Sequence, residues 1–185
     1  MGAKPFEHAL VNTAHVKVAN VYELLQCLRL REVWYHKSFG YHGRDVFDKH
    51  GVHIVAVQGD RLVAGARLLG PTPLPLELLA VNSLSLPGAD ARVMQAGALW
   101  VDPQYRRVLS ASARLYRLLS GKMLELARRF GTAGVVLRTS EPRMTKWYRA
   151  IGFQELPNGN YFDPYWGRVF TMYMAISNDV EVAPH

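Results

Sequence analysis

Two groups of polar residues stand out by type and spacing. Arg106 and Arg107 follow an Asp-Pro turn (Asp102-Pro103) and directly precede the longest helical pattern in the chain, with Ser110 and Ser112 adding hydroxyls. The first turn of a helix presents N–H groups without intrahelical partners, so cations and hydroxyls at that junction suit a phosphate. The bland alternative is that the two arginines only solvate a turn. The second group is Arg31, Asp45, Asp48 and Arg67. Two carboxylates and two guanidinium groups could form an acceptor pocket, a carboxylate holding an ammonium and an arginine holding a carboxylate. They could equally form an ion-pair cluster that pins a loop to a sheet, and the sequence leaves both open. Seven histidines raise the question of a metal. None pair at i, i+4 on a helix, and the single cysteine, Cys27, brings no thiolate cluster, so no metal is expected. His50 and His53 beside Asp48 are only a weak spacing match.

These residues need elements to hold them. Apolar positions at three- and four-residue intervals predict a helix over residues 16–34, followed by an aromatic, glycine-bearing loop to Asp48. VHIVAV (52–57) and RLVAGARLL (61–69) predict a hairpin turned by Gln58, Gly59 and Asp60. Residues 70–86, with Pro71, Pro73 and Pro75, predict a connector. A strand is predicted over 93–101 and a long helix from about 110 to 130, with a stripe of Leu115, Leu118, Leu119, Met123, Leu126 and Ala127 and a stop at Gly131. A short strand (133–138), a helix (142–151), a strand starting at Gly152-Phe153 and a last strand (169–176) follow. The pattern predicts an α/β (α+β) fold: one domain over 1–177, a mixed and mostly antiparallel central sheet with helices on both faces, and a loose tail over 178–185.

Composition narrows the setting. With 49% hydrophobic residues, 185 residues can bury a substantial core, which excludes wholesale disorder. No apolar run reaches the roughly 18 residues of a membrane span, and Met1 to Phe6 lack the apolar stretch of a secretory signal, so a cytoplasmic setting is expected. The 22 Lys and Arg against 15 Asp and Glu give a net charge of +7, which favours anionic partners. Much of that charge lies along one helix (Arg106, Arg107, Arg114, Arg117, Lys122, Arg128, Arg129). Basic residues are not interleaved with aromatics on strands, which argues against nucleic acid and for an acidic protein.

Three segments together resemble the GCN5-related N-acetyltransferase (GNAT) superfamily: LWVDPQYRR (99–107), GTAGVVLRTS (131–140) and KWYRAIGF (146–153), in the usual order and spacing. The resemblance implies a splayed pair of central strands. Unpaired amides there take the pantetheine arm of the donor like an added strand, along Leu99, Trp100 and Val101. The phosphates would meet Arg106, Arg107, Ser110, Ala111 and Ser112. Aligned on Arg106, however, Leu109 and Ala111 stand where the family's two small turn residues belong, the first of them glycine. A β-carbon at a point of close approach weakens a nucleotide cradle, which points to an acyl carrier protein as donor. The resemblance also places Tyr148 where a phenol could protonate the departing thiolate.

The N-terminal half is similar to acyl-homoserine-lactone synthases and N-acyl amino acid synthases. It shares with them Arg31, Tyr35, Tyr41, the run Asp45-Val46-Phe47-Asp48, and Arg67 on the second hairpin strand. Of these, Arg31, Tyr35, Asp45, Asp48 and Arg67 would bind the acceptor. The lactone synthases carry Glu and, three residues on, Arg on the central strand; here these are Gln95 and Ala98. Glutamine cannot take a proton as a carboxylate does, so lactone chemistry is not expected, while Gln95 stays a candidate catalytic position. The resemblance thus implies an N-acyltransferase that moves a medium or long acyl group from an acyl-phosphopantetheine donor (acyl carrier protein or acyl-coenzyme A) to a small amine such as an amino acid. The acyl tail would lie near Leu74, Leu76, Leu78 and Leu79. The alternatives are an acetyl-coenzyme A acetyltransferase and a non-catalytic acyl-binding module.

Overall fold

The computed structural model describes residues 13–40, 42–71, 92–107, 109–164 and 166–176. Tyr41, the leucines expected to line the acyl slot and the C-terminal tail lie outside the described residues. The chain gathers into two compact units, one comprising the chain up to Leu69 with Gly97–Met123, the other Gly70–Ala96 with the chain from Leu124 on.

In the first unit, β1 (His15–Val18), β2 (Val52–Gln58) and β3 (Arg61–Leu69) form an antiparallel meander joined to β4 (Val93–Val101). The predicted first helix needs correction at its start. Val16 and Val18 belong to β1, paired with Ala56 and Ile54. Helix α1 (Val21–Phe39) begins only after a capping box, in which Asn20 accepts the Glu23 N–H (2.9 Å) and Glu23 accepts the Asn20 N–H (3.0 Å). It ends at Gly40, whose left-handed backbone (φ 73°) closes the last turn. A stripe of Cys27, Arg31 and Trp34 faces the sheet. Cys27 and Trp34 pack with Val55, Val57, Leu62 and Trp100 into one apolar cluster. The hairpin turn falls at Gly59-Asp60 as the sequence predicts, with Gln58 opposite Arg61.

After β4 the chain makes one turn of helix, α2 (Pro103–Arg106), capped by Asp102, whose side chain accepts the Gln104 N–H at 3.0 Å. Helix α3 (Leu109–Arg129) follows, burying Leu115, Leu119, Met123, Leu126 and Ala127 and stopping at Gly131. In the second unit, β5 (Gly134–Thr139) runs parallel to the start of β4 and antiparallel to β8 (Gly167–Ala175). Helix α4 (Pro142–Ala150) packs on β5 and β8, and β6 (Gln154–Glu155) and β7 (Tyr161–Asp163) pair with β8. The hydrogen-bonded order β1-β2-β3-β4-β5-β8-β6 is a mixed sheet in which only the β4–β5 ladder is parallel among the described pairings.

Gly65 on β3 marks where this packing is tightest. A β-carbon there would lie 2.5 Å from Trp100 Nε1 and 2.8 Å from Cys27 Sγ. Gly65→Ala is expected to cost about 1–3 kcal/mol by overpacking, measured as a lower denaturation midpoint at unchanged m-value.

Candidate functional site

The chemistry-bearing residues of the first unit are placed by the inward stripe of α1, the loop after it, the β2–β3 hairpin and the second half of β4. Val55, two residues after His53 on β2, faces α1, and the register sets His53 opposite Arg67 and Val55 opposite Gly65. Alternation along the strands therefore turns His53 and Arg67 toward the same helix stripe that carries Arg31. The loop after α1 closes over them with a short 3-10 turn (Val46–Lys49) capped by Asp45.

Arg31, Asp45, Asp48 and Arg67 do meet and pair their charges, although Arg31 Nε and Arg67 Nε are buried without a hydrogen-bond partner among the described residues. Arg67 Nη1 donates to Asp45 Oδ1 (2.5 Å) and Asp48 Oδ1 (2.6 Å), and Nη2 donates to Asp45 Oδ2 (2.9 Å). Arg31 Nη2 donates to Asp48 Oδ2, which also accepts the Asp45 N–H. All four carboxylate oxygens are engaged, and the formal charges cancel. Arg31 is 1% exposed, so its charge depends on Asp48. Only the Asp45 side chain reaches solvent among the four, at 44%. The geometry is that of an ion-pair cluster pinning the loop, with Asp45 as its open edge.

His53, which the sequence suggested only weakly, belongs to this cluster. Its Nε2 lies 3.1 Å from the Asp48 main-chain oxygen, and a carbonyl only accepts, so Nε2 carries the proton. Burial lowers the His53 pKa below its ordinary value; Asp48 opposes this, and the charges of Arg31 and Arg67 push it further down. Burial would by itself raise the Asp48 carboxyl, but the Arg31 hydrogen bond, the Asp45 N–H and both arginine charges outweigh it and hold Asp48 below its ordinary value.

Tyr35, next on α1, is pushed up to about 12 by burial and so remains a phenol at physiological pH. Its hydroxyl lies 3.4 Å from the Leu99 carbonyl, and its ring meets Trp34 edge-on at 4.8 Å. Trp34 in turn carries the Arg106 guanidinium 4.2 Å from its ring centroid, a contact the sequence did not signal. Arg107 is exposed, with no side-chain partner among the described residues. Ser110 is exposed at the start of α3, whereas Ala111 and Ser112 are buried and the Ser112 hydroxyl donates back to Leu109 O (3.0 Å). Leu109, where the resemblance expects glycine, is 84% exposed.

The main chain of β4 is distinctive. Its ladder to β5 has four pairs and ends at Ala96↔Leu137, while β4 runs on to Val101. Ala98 takes a left-handed conformation (φ 49°), and no atom of the described residues lies within 4 Å of where a β-carbon on Gly97 would stand. Trp100 and Val101 bury their side chains, the Trp100 indole donating to Cys27 Sγ at 3.2 Å, so these residues offer main chain rather than side chain. In the second unit Gln95 is buried on β4 opposite Val136. Tyr148 is buried on α4, edge-on to Trp147 and Phe153. No group of three or more His, Cys, Asp or Glu able to hold a metal occurs among the described residues. Among them, too, no helix is long and apolar enough to cross a membrane.

The cluster predicts an acid response. His53 and Asp48 both have lowered folded pKa values, so each contributes stability that is complete above its unfolded value and is lost as pH falls. For His53 the loss begins below about 6.5, and for Asp48 below about 3.9. The melting temperature is expected to fall between pH 7 and 5 in the wild type and to stay flat there in His53→Gln. An equal fall in both would remove His53 as the cause.

No protein-family model and no curated protein matches the chain, but many solved structures do. FeeM, an N-acyl amino acid synthase from uncultured soil microbes, superposes with a TM-score of 0.66 at 11% identity, covering 88% of this chain and 90% of that one. YncA from Salmonella typhimurium, solved with its cofactor acetyl-CoA, gives 0.58 at 15% identity over 94% and 99%. An acetyltransferase of the GNAT family from Staphylococcus aureus Mu50 gives 0.57 at 14% over 89% and 99%. At these identities the likeness is one of fold, and that fold is the fold of the GCN5-related N-acetyltransferases.

Proposed function

We propose that the chain is an N-acyltransferase, moving an acyl group from a phosphopantetheine thioester to the amine of a small acceptor. The observation that carries this reading is the early end of the β4–β5 ladder at Ala96. Beyond it, the peptide groups of Gly97–Val101 are free of β5, so an amide-rich arm can add along β4 as another strand would. Arg107, just before α3, and Ser110, in its first turn, are both exposed, which supports a phosphate-binding role at the end of that arm.

The donor we favour is an acyl carrier protein. A leucine at 84% exposure stands where the nucleotide of coenzyme A would need a close approach, and Arg117 on α3 is exposed to an acidic surface. FeeM, whose name describes transfer to amino acids, shares the fold and supports an amino-acid acceptor; YncA, with its acetyl-CoA, supports the acetyltransferase alternative. The neutral amine attacks the thioester carbonyl. A C–N bond forms, the C–S bond breaks, and main-chain N–H groups stabilise the oxyanion. The proton that the amine loses passes to water, the sulfur takes one from Tyr148 in this proposal, and water returns a proton to the phenolate.

Mass spectrometry with carrier-bound and coenzyme A donors of different chain lengths, against an amine panel, tests the reading. Acyl-amide product from long carrier-bound donors is expected. Transfer from acetyl-coenzyme A alone would replace it with the acetyltransferase, and a retained acyl ligand without transfer would replace it with a binding module. Arg107→Ala should raise the donor KM about three- to tenfold, the worth of one exposed charge-assisted contact, at unchanged melting temperature. Tyr148→Phe should lower kcat about a hundredfold with donor affinity intact. An unchanged kcat with a lower melting temperature would make Tyr148 a packing residue.

A further inference from the structure

Three arginines are withdrawn from solvent beside strands, and they are not treated alike. Arg31 and Arg67 are each matched by aspartate. Arg138 on β5 is half-buried, yet among the described residues its guanidinium has no carboxylate partner. Its one side-chain hydrogen bond runs from Nη1 to Tyr161 Oη at 2.9 Å, and it lies 5.5 Å from the centre of the same ring. Burial pulls its pKa down, opposed only by Tyr161 and by Asp163, whose Oδ1 accepts the Trp166 N–H. A guanidinium has five donors, and among the described residues only one of those of Arg138 is bonded within the protein, with no carboxylate paired to it, so the rest of the fork is open to an anion.

Its position adds a reason. Leu137 closes the ladder to β4, so Arg138 is the first β5 residue past that ladder. Laterally paired residues share a face of a sheet. Gln95 pairs with Val136, Arg138 with Thr171, and Tyr161 with Val169, so Gln95, Arg138 and Tyr161 project on the same face. Thr171 beside it is fully buried, with its hydroxyl committed to Gly159 O at 2.6 Å, and offers no charge.

We propose that Arg138, backed by Tyr161, is an anion site that anchors a carboxylate of the acceptor, so that the substrate is an amino acid rather than a simple amine. This rests on the acyl-transfer reading above. The planar guanidinium fork matches a carboxylate with two parallel hydrogen bonds, and the Tyr161 contact fixes one arm of the fork.

The test pairs acids with their decarboxylated counterparts: alanine with ethylamine, leucine with 3-methylbutylamine, phenylalanine with phenethylamine. Wild type should prefer each acid, and Arg138→Gln should raise the acid KM about 10- to 100-fold, the worth of hydrogen bonds to a charged group, with the donor KM unchanged. Arg138→Lys should recover part of the loss, and Tyr161→Phe, which keeps the ring, should show a smaller one. Equal use of acids and amines, or a rise in donor KM instead, overturns the proposal; the second result would make Arg138 a donor-phosphate contact. Calorimetric titration of the same acids into donor-free protein separates the two readings. If no amine is acylated but an acid binds wild type and not Arg138→Gln, the acyl-transfer reading fails and the carboxylate site stands. If no acid of the panel binds, the site fails.

Discussion

A strand inside a sheet has two rows of peptide groups to satisfy, and β4 satisfies the row facing β5 only as far as Ala96. Main-chain N–H and C=O groups left without partners are costly when they are withdrawn from water, so a strand that leaves its neighbour in mid-course needs a cause and a use. The local cause is visible in Ala98, the one non-glycine residue with positive φ among those described, which turns the strand's main chain two residues past the last ladder pair. Alanine pays about a kilocalorie or more for that conformation, and strain of this kind persists only where the surroundings hold it. Here they do. Trp100 is locked into the cluster under α1, and Asp102 both bonds Val63 through its main chain and caps α2. The strand is fixed on either side of the irregular residue, so its exposed edge keeps its shape without a ligand. That is the condition for binding an extended, amide-bearing arm without first ordering the protein.

Elements set by local pattern were legible in the sequence, and those set by pairing were not. The bounds of β3 and β4 and the body of α3 follow from apolar runs and a period near four, and the structure keeps them. The mistake at residues 16–20 has a definite origin. Val16 and Val18 are spaced so that they extend the helical stripe of Leu24 and Leu28 backwards, while Asn20 and Glu23, three apart, already marked the helix start. The strand β7 escaped notice because Tyr161, Phe162 and Asp163 are too few to establish alternation. At the site, residue types pointed to Arg31, Asp45, Asp48 and Arg67 as a set, but the choice between pocket and ion-pair cluster depends on the register that brings His53 opposite Arg67. The stacking of Arg106 on Trp34 joins residues far apart in the chain, and no spacing rule announces it. Arg138 did leave a trace, a charged residue ending an otherwise apolar strand, whose meaning emerged only once its partners could be counted.

The buried charges divide the labour between the two units. A cluster in which each carboxylate oxygen already accepts a hydrogen bond, and whose charges cancel, has little left to offer a substrate beyond the solvent-facing side of Asp45. Its stake is structural: withdrawing Asp48 would strand the Arg31 guanidinium, at a cost of about 3–5 kcal/mol, so these residues are constrained as a set whatever the acceptor. Specificity then has to come from a group that is charged, held in place and not yet neutralised. Arg138 meets that description in the second unit, whereas Arg107 in the first is charged but not held in place, and the two differ in what water does to them. Arg107 is exposed, so its attraction is screened and serves to gather an anion without discriminating among anions. Arg138 is half-buried against a phenol that fixes one arm of its fork, and in the proposal a guanidinium so held selects by geometry.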